Sequence, residues 1–197
     1  MMDSEFTIIG AGAGGLTSAH QLSKKFSKID IFEEGGNYDL DDFKKNSITS
    51  ILNKCWRNSG FTPIIGSPNI VFSEGIGVGG STLINGGVIT RPSSKLLKNW
   101  ETEIGEENFD LEKILDYLDE NEKLLSISKP VSFGNKDSDL LELNAKSLGF
   151  KVTDAMRAVI NCQNTNRCAF GCTTGSKQSL DVSIIPIIKD KVQIYSN

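Results

Sequence analysis

Gly10-Ala-Gly-Ala-Gly-Gly15, set between two short apolar runs, leaves this chain few folds to choose from. Residues 5–9 (Glu-Phe-Thr-Ile-Ile) are rich in β-branched and apolar side chains, as a buried strand is. After the glycines, Leu16, Ala19, Leu22 and Phe26 recur at helical spacing, and Ile29-Asp-Ile-Phe32 reads as a second strand ending at Glu33-Glu34-Gly35-Gly36. A strand, a glycine turn, a helix, a strand and an acid within about thirty residues make a βαβ dinucleotide-binding unit over residues 5–36. Of Gly10, Gly12 and Gly15, the first permits the tight turn, the second lets backbone approach a pyrophosphate, and the third lets helix pack on strand. The helix start then offers N–H groups and a positive dipole end to the phosphates. Glu33 follows Gly15 by eighteen residues, near the ~20 at which a carboxylate meets the ribose hydroxyls. An acid there favours an unphosphorylated ribose, as in FAD or NAD, over NADP, and the motif alone leaves FAD and NAD both open.

A second glycine cluster runs from Gly75 to Pro92: Gly-Ile-Gly-Val-Gly-Gly-Ser-Thr-Leu-Ile-Asn-Gly-Gly-Val-Ile-Thr-Arg-Pro. Five glycines between Gly75 and Gly86, a Ser-Thr pair and one Asn are poor material for a hydrophobic core. They suit backbone laid against something flat or charged.

The remaining chain is that of a globular α/β protein. Its 197 residues have the length of one ordinary domain, or of one domain with a short extra piece, and can bury a real core. A helix is expected over Ser47 to Asn58, stopping at Gly60. Cys55 falls on its apolar face, so a buried thiol is expected. Ile70-Val71-Phe72 reads as a short strand, and Asp110 caps a helix carrying Leu111, Ile114, Leu115, Leu118 and Leu125. A further helix runs from about Ser138 to Leu148 and closes at Gly149. The final apolar segments, 184–189 and 192–195, end in a strand-like run.

A net charge of -4, with Lys and Arg scattered in pairs at most, argues against a nucleic-acid partner. No run reaches the ~18 apolar residues of a membrane helix. Asp3 and Glu5 stand where a secretory signal would be basic, so a cytoplasmic location is the default expectation. Cys162, Cys168 and Cys172 crowd together, but three thiols at these spacings fall short of a four-ligand zinc or iron–sulfur site, and no metal is expected.

Three blocks resemble the glucose-methanol-choline (GMC) oxidoreductases, FAD-dependent enzymes that oxidise alcohols. They are Ile8–Leu16 with Phe32–Gly36, then Gly79–Pro92, then Trp100–Gly105 with the helix after it. Ile76 and Ile89 depart from the residues usual in that family. The tail from Cys162 to Ser179 is similar to the long-chain alcohol oxidase and bacterial dehydrogenase branch. The resemblance implies an FAD-binding Rossmann-like α/β fold over residues 1–197, including the flavin-contacting stretch 75–92 and the helical and cysteine-containing segments 110–197. It implies that Gly10, Gly12, Ala13, Gly14 and Gly15 line the pyrophosphate and that Glu33 holds the ribose. Gly79, Gly80, Ser81, Asn85, Gly86 and Val88 would then follow the pyrophosphate, ribityl chain and isoalloxazine. The implied cofactor is FAD, the implied substrate a small-molecule alcohol, and the implied reaction a hydride transfer to flavin N5.

The family's catalytic histidine lies in the C-terminal part of a longer chain. Here the single histidine, His20, sits on the helix after the glycine turn and reads as a helix-flank residue. Lys177 and Arg91 are expected in ion pairs. The fold is therefore expected to be incomplete, lacking a C-terminal half that would arrive in a longer polypeptide or as a second subunit. The alternative expectations are a non-catalytic fragment or partner subunit, and, less favoured, an NAD-binding Rossmann protein.

Overall fold

The computed structural model describes residues 4–105, 107–129 and 135–197; Asp3 lies outside them. In chain order its elements begin β1 (Phe6–Ile9), α1 (Ala13–Ser23), β2 (Ile29–Phe32), α2 (Leu40–Lys45), α3 (Ile48–Cys55), β3 (Thr62–Ile64) and β4 (Ile70–Phe72). They continue with α4 (Ser94–Ile104), α5 (Leu111–Leu124), β5 (Ile127–Ser128), α6 (Lys136–Ser147), β6 (Arg157–Ala158), α7 (Leu180–Ser183), α8 (Ile185–Ile188) and β7 (Val192–Tyr195). Two compact units result. One takes the chain up to Gly87 together with Ile160–Asn197, and the other is Val88–Val159.

The first unit is built on a parallel sheet in the order β1-β2-β7, with Phe6 opposite Ile29 and Ile29 opposite Val192. β2 is the middle strand, and Ile29, Asp30 and Ile31 are all buried. Burial of successive positions, rather than of every second one, marks a strand covered on both faces. α1 covers the sheet through Leu16 and Ala19, which are fully buried, and packs against α8, which contributes Ile188. It starts at Ala13, three residues before the periodicity begins, because the glycine turn itself winds into the first helical turn. Phe26, expected on that helix, lies beyond it and packs edge-on against Phe6 at 4.6 Å between ring centres.

Beside the sheet lies a second apolar cluster of Phe43, Ile51, Cys55, Leu83 and Ile84, with Tyr38, Trp56 and Phe170 around it. α2, in a stretch whose polarity hides it in the sequence, is started by a capping box. Asp39 Oδ1 accepts from Asp42 N at 2.9 Å, and Asp42 Oδ2 accepts from Asp39 N at 3.0 Å. Ser47 caps α3, which stops at Cys55. The expected continuation to Asn58 fails because Trp56 turns extended and pairs with Gly75. β3 and β4 form an antiparallel hairpin.

In the second unit Ser93 caps α4 and Asp110 caps α5, each accepting from a main-chain N–H three residues on. Arg91 pairs with Asp119 and Glu122 on α5, the ion-pair role expected of it. α6 opens at Lys136, two residues before the expected start, with Asn135 as its cap, and Gly149 follows it at φ +82°. β5 pairs antiparallel with β6. Among the described residues no helix is long and apolar enough to cross a membrane.

Candidate cofactor site

Three loops of the first unit meet at the carboxyl ends of the parallel strands, which is where open α/β sheets receive ligands. The first is the glycine turn. Gly10 N donates to Phe32 O at 2.7 Å, and α1 begins with Gly12 as a cap that makes no side-chain hydrogen bond. No acidic residue occupies the first turn of α1, so no carboxylate of the helix itself offsets its positive dipole end. A Cβ built on Gly15 would stand 1.9 Å from Gly10 O, so this glycine has the packing role its spacing predicts. Around Gly10, Gly12 and Gly14 an added Cβ would meet nothing within 4 Å. The turn is therefore sealed on its inner side and open on its outer side.

The second loop carries Glu33, delivered by the end of β2. Its Oε2 accepts from Ala11 N at 2.7 Å, while its Oε1 accepts from Gly35 N at 2.9 Å and from Gly77 N at 3.1 Å. One carboxylate thus ties the glycine turn, its own turn and the second glycine stretch together. A carboxylate accepts about four hydrogen bonds, so capacity for one more remains. This latch function is invisible in the sequence, where Glu33 shows only its spacing from Gly15. An open groove of about 380 Å³ lies next to it, walled in part by Ile9, Phe32, Glu34 and Tyr195. Phe32 and Tyr195 stack at 4.9 Å between ring centres.

The third loop is the stretch from Gly75. Gly79 N donates to Ala11 O at 2.8 Å and Val78 N to Gly36 O at 3.0 Å. Gly80 lies backbone to backbone on the glycine turn, where its Cβ would come within 2.8 Å of Gly12 Cα. Ser81 Oγ accepts from Gly75 N at 2.9 Å, closing the loop on itself. Thr82 Oγ1 donates to Gly79 O at 2.6 Å and accepts from Leu180 N at 3.1 Å, which joins the stretch to α7. Asn85 Oδ1 accepts from Gly87 N at 2.9 Å, so this side chain fastens the turn it stands in.

Of the residues singled out from the sequence, Gly10, Gly12, Ala13, Gly14, Gly15, Glu33, Gly79, Gly80 and Ser81 lie on these adjoining loops. Asn85 and Gly86 continue the third. Val88 belongs to the other unit, paired with Arg157.

The cysteine-containing segment supplies a residue that sequence reasoning undervalued. Lys177, expected in an ion pair, is only 2% exposed and directs its ammonium at three carbonyls. Nζ donates to Leu83 O at 2.6 Å, Cys168 O at 2.8 Å and Asn85 O at 3.1 Å. Nearby, burial pushes the Asp181 carboxyl up, and its Oδ1 is buried without a hydrogen-bond partner. Burial also pushes the Cys172 thiol up, but hydrogen bonds from the Thr174 side chain and from the main chain of Lys177, Thr174 and Ser176 outweigh it and leave the thiol below its ordinary value. Cys55 is fully buried, which pushes its thiol up to about 11. None of the four cysteines forms a disulfide, and among the described residues no group of three or more His, Cys, Asp and Glu could hold a metal.

The profile describing GMC oxidoreductases matches residues 7–193. The chain belongs to the GMC oxidoreductase family. A GMC-type oxidoreductase of Sinorhizobium fredii is 32% identical over 190 residues, covering 96% of this chain and 37% of that protein. A long-chain-alcohol oxidase of Arabidopsis thaliana is 22% identical over 180 residues, covering 91% of this chain and 24% of its own length. Formate oxidase of Aspergillus oryzae superposes on all of this GMC chain and 39% of its own, with a TM-score of 0.68 at 16% identity. The fold is thus the FAD-binding α/β fold of GMC oxidoreductases, and the cofactor of that fold is FAD. The chain spans well under half the length of these relatives.

Proposed function

We propose that this chain is the FAD-holding part of an enzyme that oxidises the CH–OH group of an alcohol. The observation that carries the reading is the open backbone surface at Gly10, Gly12 and Gly14, beside a helix start with no side-chain cap and no acid in its first turn. A pyrophosphate fits that surface because the N–H groups and the dipole end there are complementary to negative charge. On this reading Gly10, Gly12, Ala13, Gly14 and Gly15 line the pyrophosphate. Glu33 offers its remaining acceptor capacity to a ribose hydroxyl, next to the groove of Ile9 and Phe32. Gly79, Gly80, Ser81, Asn85 and Gly86 follow the pyrophosphate and ribityl chain, and Val88 serves the isoalloxazine end.

Bound FAD would supply the hydride acceptor, flavin N5. The residues of this chain bind and orient it: Glu33 and the Gly79 and Val78 amides keep the three loops at fixed spacing, so little ordering remains to be done on binding. The base that takes the hydroxyl proton comes, on this proposal, from beyond these residues, in the rest of a longer polypeptide or in a partner subunit. Two features support that. The single histidine, His20, is buried on α1. The relatives are more than twice as long.

The test is a titration of the full protein with FAD, followed by flavin fluorescence quenching, and then anaerobic addition of alcohols. Saturable binding and loss of the visible flavin band with an alcohol are expected. Binding of NAD without FAD would overturn the cofactor assignment, and an FAD complex that no alcohol reduces would overturn the donor class.

A further inference from the structure

We infer that Lys177 is a positioning residue for the FAD-contacting stretch, holding the peptide planes of residues 83–86 from the side opposite their N–H groups. The inference rests on the assignment of that stretch to FAD. An ammonium has three N–H donors, and the three carbonyls of Leu83, Asn85 and Cys168 match that number. Such full satisfaction is needed, since a buried charge without partners is strongly unfavourable. Two of those carbonyls flank Ile84 in the glycine stretch. In a trans peptide the C=O and the following N–H point to opposite sides of the chain, so gripping Asn85 O sets the direction of the Gly86 N–H. Leu83 O does the same for Ile84 N, which donates to Ser81 O at 3.3 Å.

This segment has need of an external hold. Gly86 and Gly87 bring no side chains to stiffen it, and Gly87 sits at φ +70°. Its internal fastening is Asn85 Oδ1 on Gly87 N. Lys177 is itself anchored by its main-chain N–H, which donates to Cys172 Sγ at 3.4 Å. Cys168 contributes its carbonyl, so the crowded cysteine segment serves as a frame that presents one lysine to the glycine stretch across more than ninety residues of sequence. Lys191 offers an internal comparison. Its Nζ donates to Ser23 O at 2.6 Å, near the end of α1 and away from the glycine stretch.

The experiment compares Lys177→Met, which keeps length and loses all donors, with Lys177→Arg and the control Lys191→Met in the full-length protein. The readouts are FAD affinity, the visible spectrum and midpoint potential of bound flavin, and the urea midpoint of the apoprotein. Lys177→Met is expected to weaken FAD binding by about tenfold or more, the scale of a lost buried charged hydrogen bond, and to move the spectrum or potential. Lys177→Arg, whose planar fork cannot reproduce three converging bonds, is expected to give a smaller shift of the same sign. Lys191→Met should lower the urea midpoint and leave affinity and spectrum alone. Wild-type affinity, spectrum and potential in a folded Lys177→Met overturn the inference; if that variant does not fold, an unchanged Lys177→Arg does so. Failure of the wild type to take up FAD refutes the site assignment itself, and the inference with it.

Discussion

Alanine at Gly15 and alanine at Gly14, one residue apart on the same helix, should have opposite effects. At Gly15 the new methyl would lie 1.9 Å from Gly10 O, 3.1 Å from Gly10 C and 3.2 Å from Ile8 Cγ2. The first contact falls more than 1 Å inside the ~3.5 Å at which nonbonded heavy atoms pack comfortably, so α1 must lift from β1. Overpacking of this kind costs about 1–3 kcal/mol, here at the upper end, and the gain from alanine in a helix offsets about 1. A net loss of about 2 kcal/mol lowers Tm by roughly 4–8 °C in a chain of this size. At Gly14 the methyl meets nothing within 4 Å, so stability should rise by about 0.5–1 kcal/mol. FAD affinity should nonetheless fall about tenfold, since the methyl stands on the surface assigned to the pyrophosphate. Urea unfolding of the apoprotein followed by far-UV circular dichroism, with fluorescence titration of FAD, separates the two quantities. A Gly15→Ala variant as stable as wild type would refute the packing argument, and a Gly14→Ala variant that binds FAD normally would refute the phosphate assignment.

Leu83→Ala should cost about 3 kcal/mol, because Leu83 is 1% exposed and anchors the glycine stretch it belongs to in the apolar cluster; a loss under about 1 kcal/mol in urea melts would contradict that packing. Iodoacetamide at mildly alkaline pH should label Cys172 before Cys55, which peptide mapping reads directly, and equal native-state labelling of Cys55 would argue against its burial. The same burial makes stability pH-dependent. The folded thiol of Cys55 titrates above its ordinary value of 9.0, near about 11, so its contribution is fully present below 9.0 and is lost as pH rises towards 11. That change amounts to about 3 kcal/mol, and Cys55→Val should remove it from the pH profile of the urea midpoint.

Much of the first unit was legible because its signals are local. The βαβ start shows itself through apolar runs, glycine spacing and the place of Glu33, all within thirty-odd positions. The apolar spacing of α3, and in the second unit the cap at Asp110 ahead of the apolar positions of α5, are legible for the same reason. α2 was missed although Asp39 and Asp42 form its capping box, since a six-residue helix has too few turns to display a period. The strand-like end of the chain was expected, but its seat beside β2 was not, because strand pairing depends on contacts that neither strand's own sequence records.

By itself, then, the sequence determined the family, the cofactor class and the glycine turn, each written in residues close together along the chain. Tertiary structure alone decided what Glu33 and Lys177 do. Glu33 reaches Gly77 across 44 positions and Lys177 reaches Leu83 across 94. A charged side chain in a sequence announces a donor or an acceptor, and only the fold brings it the main-chain groups it must satisfy once it leaves water.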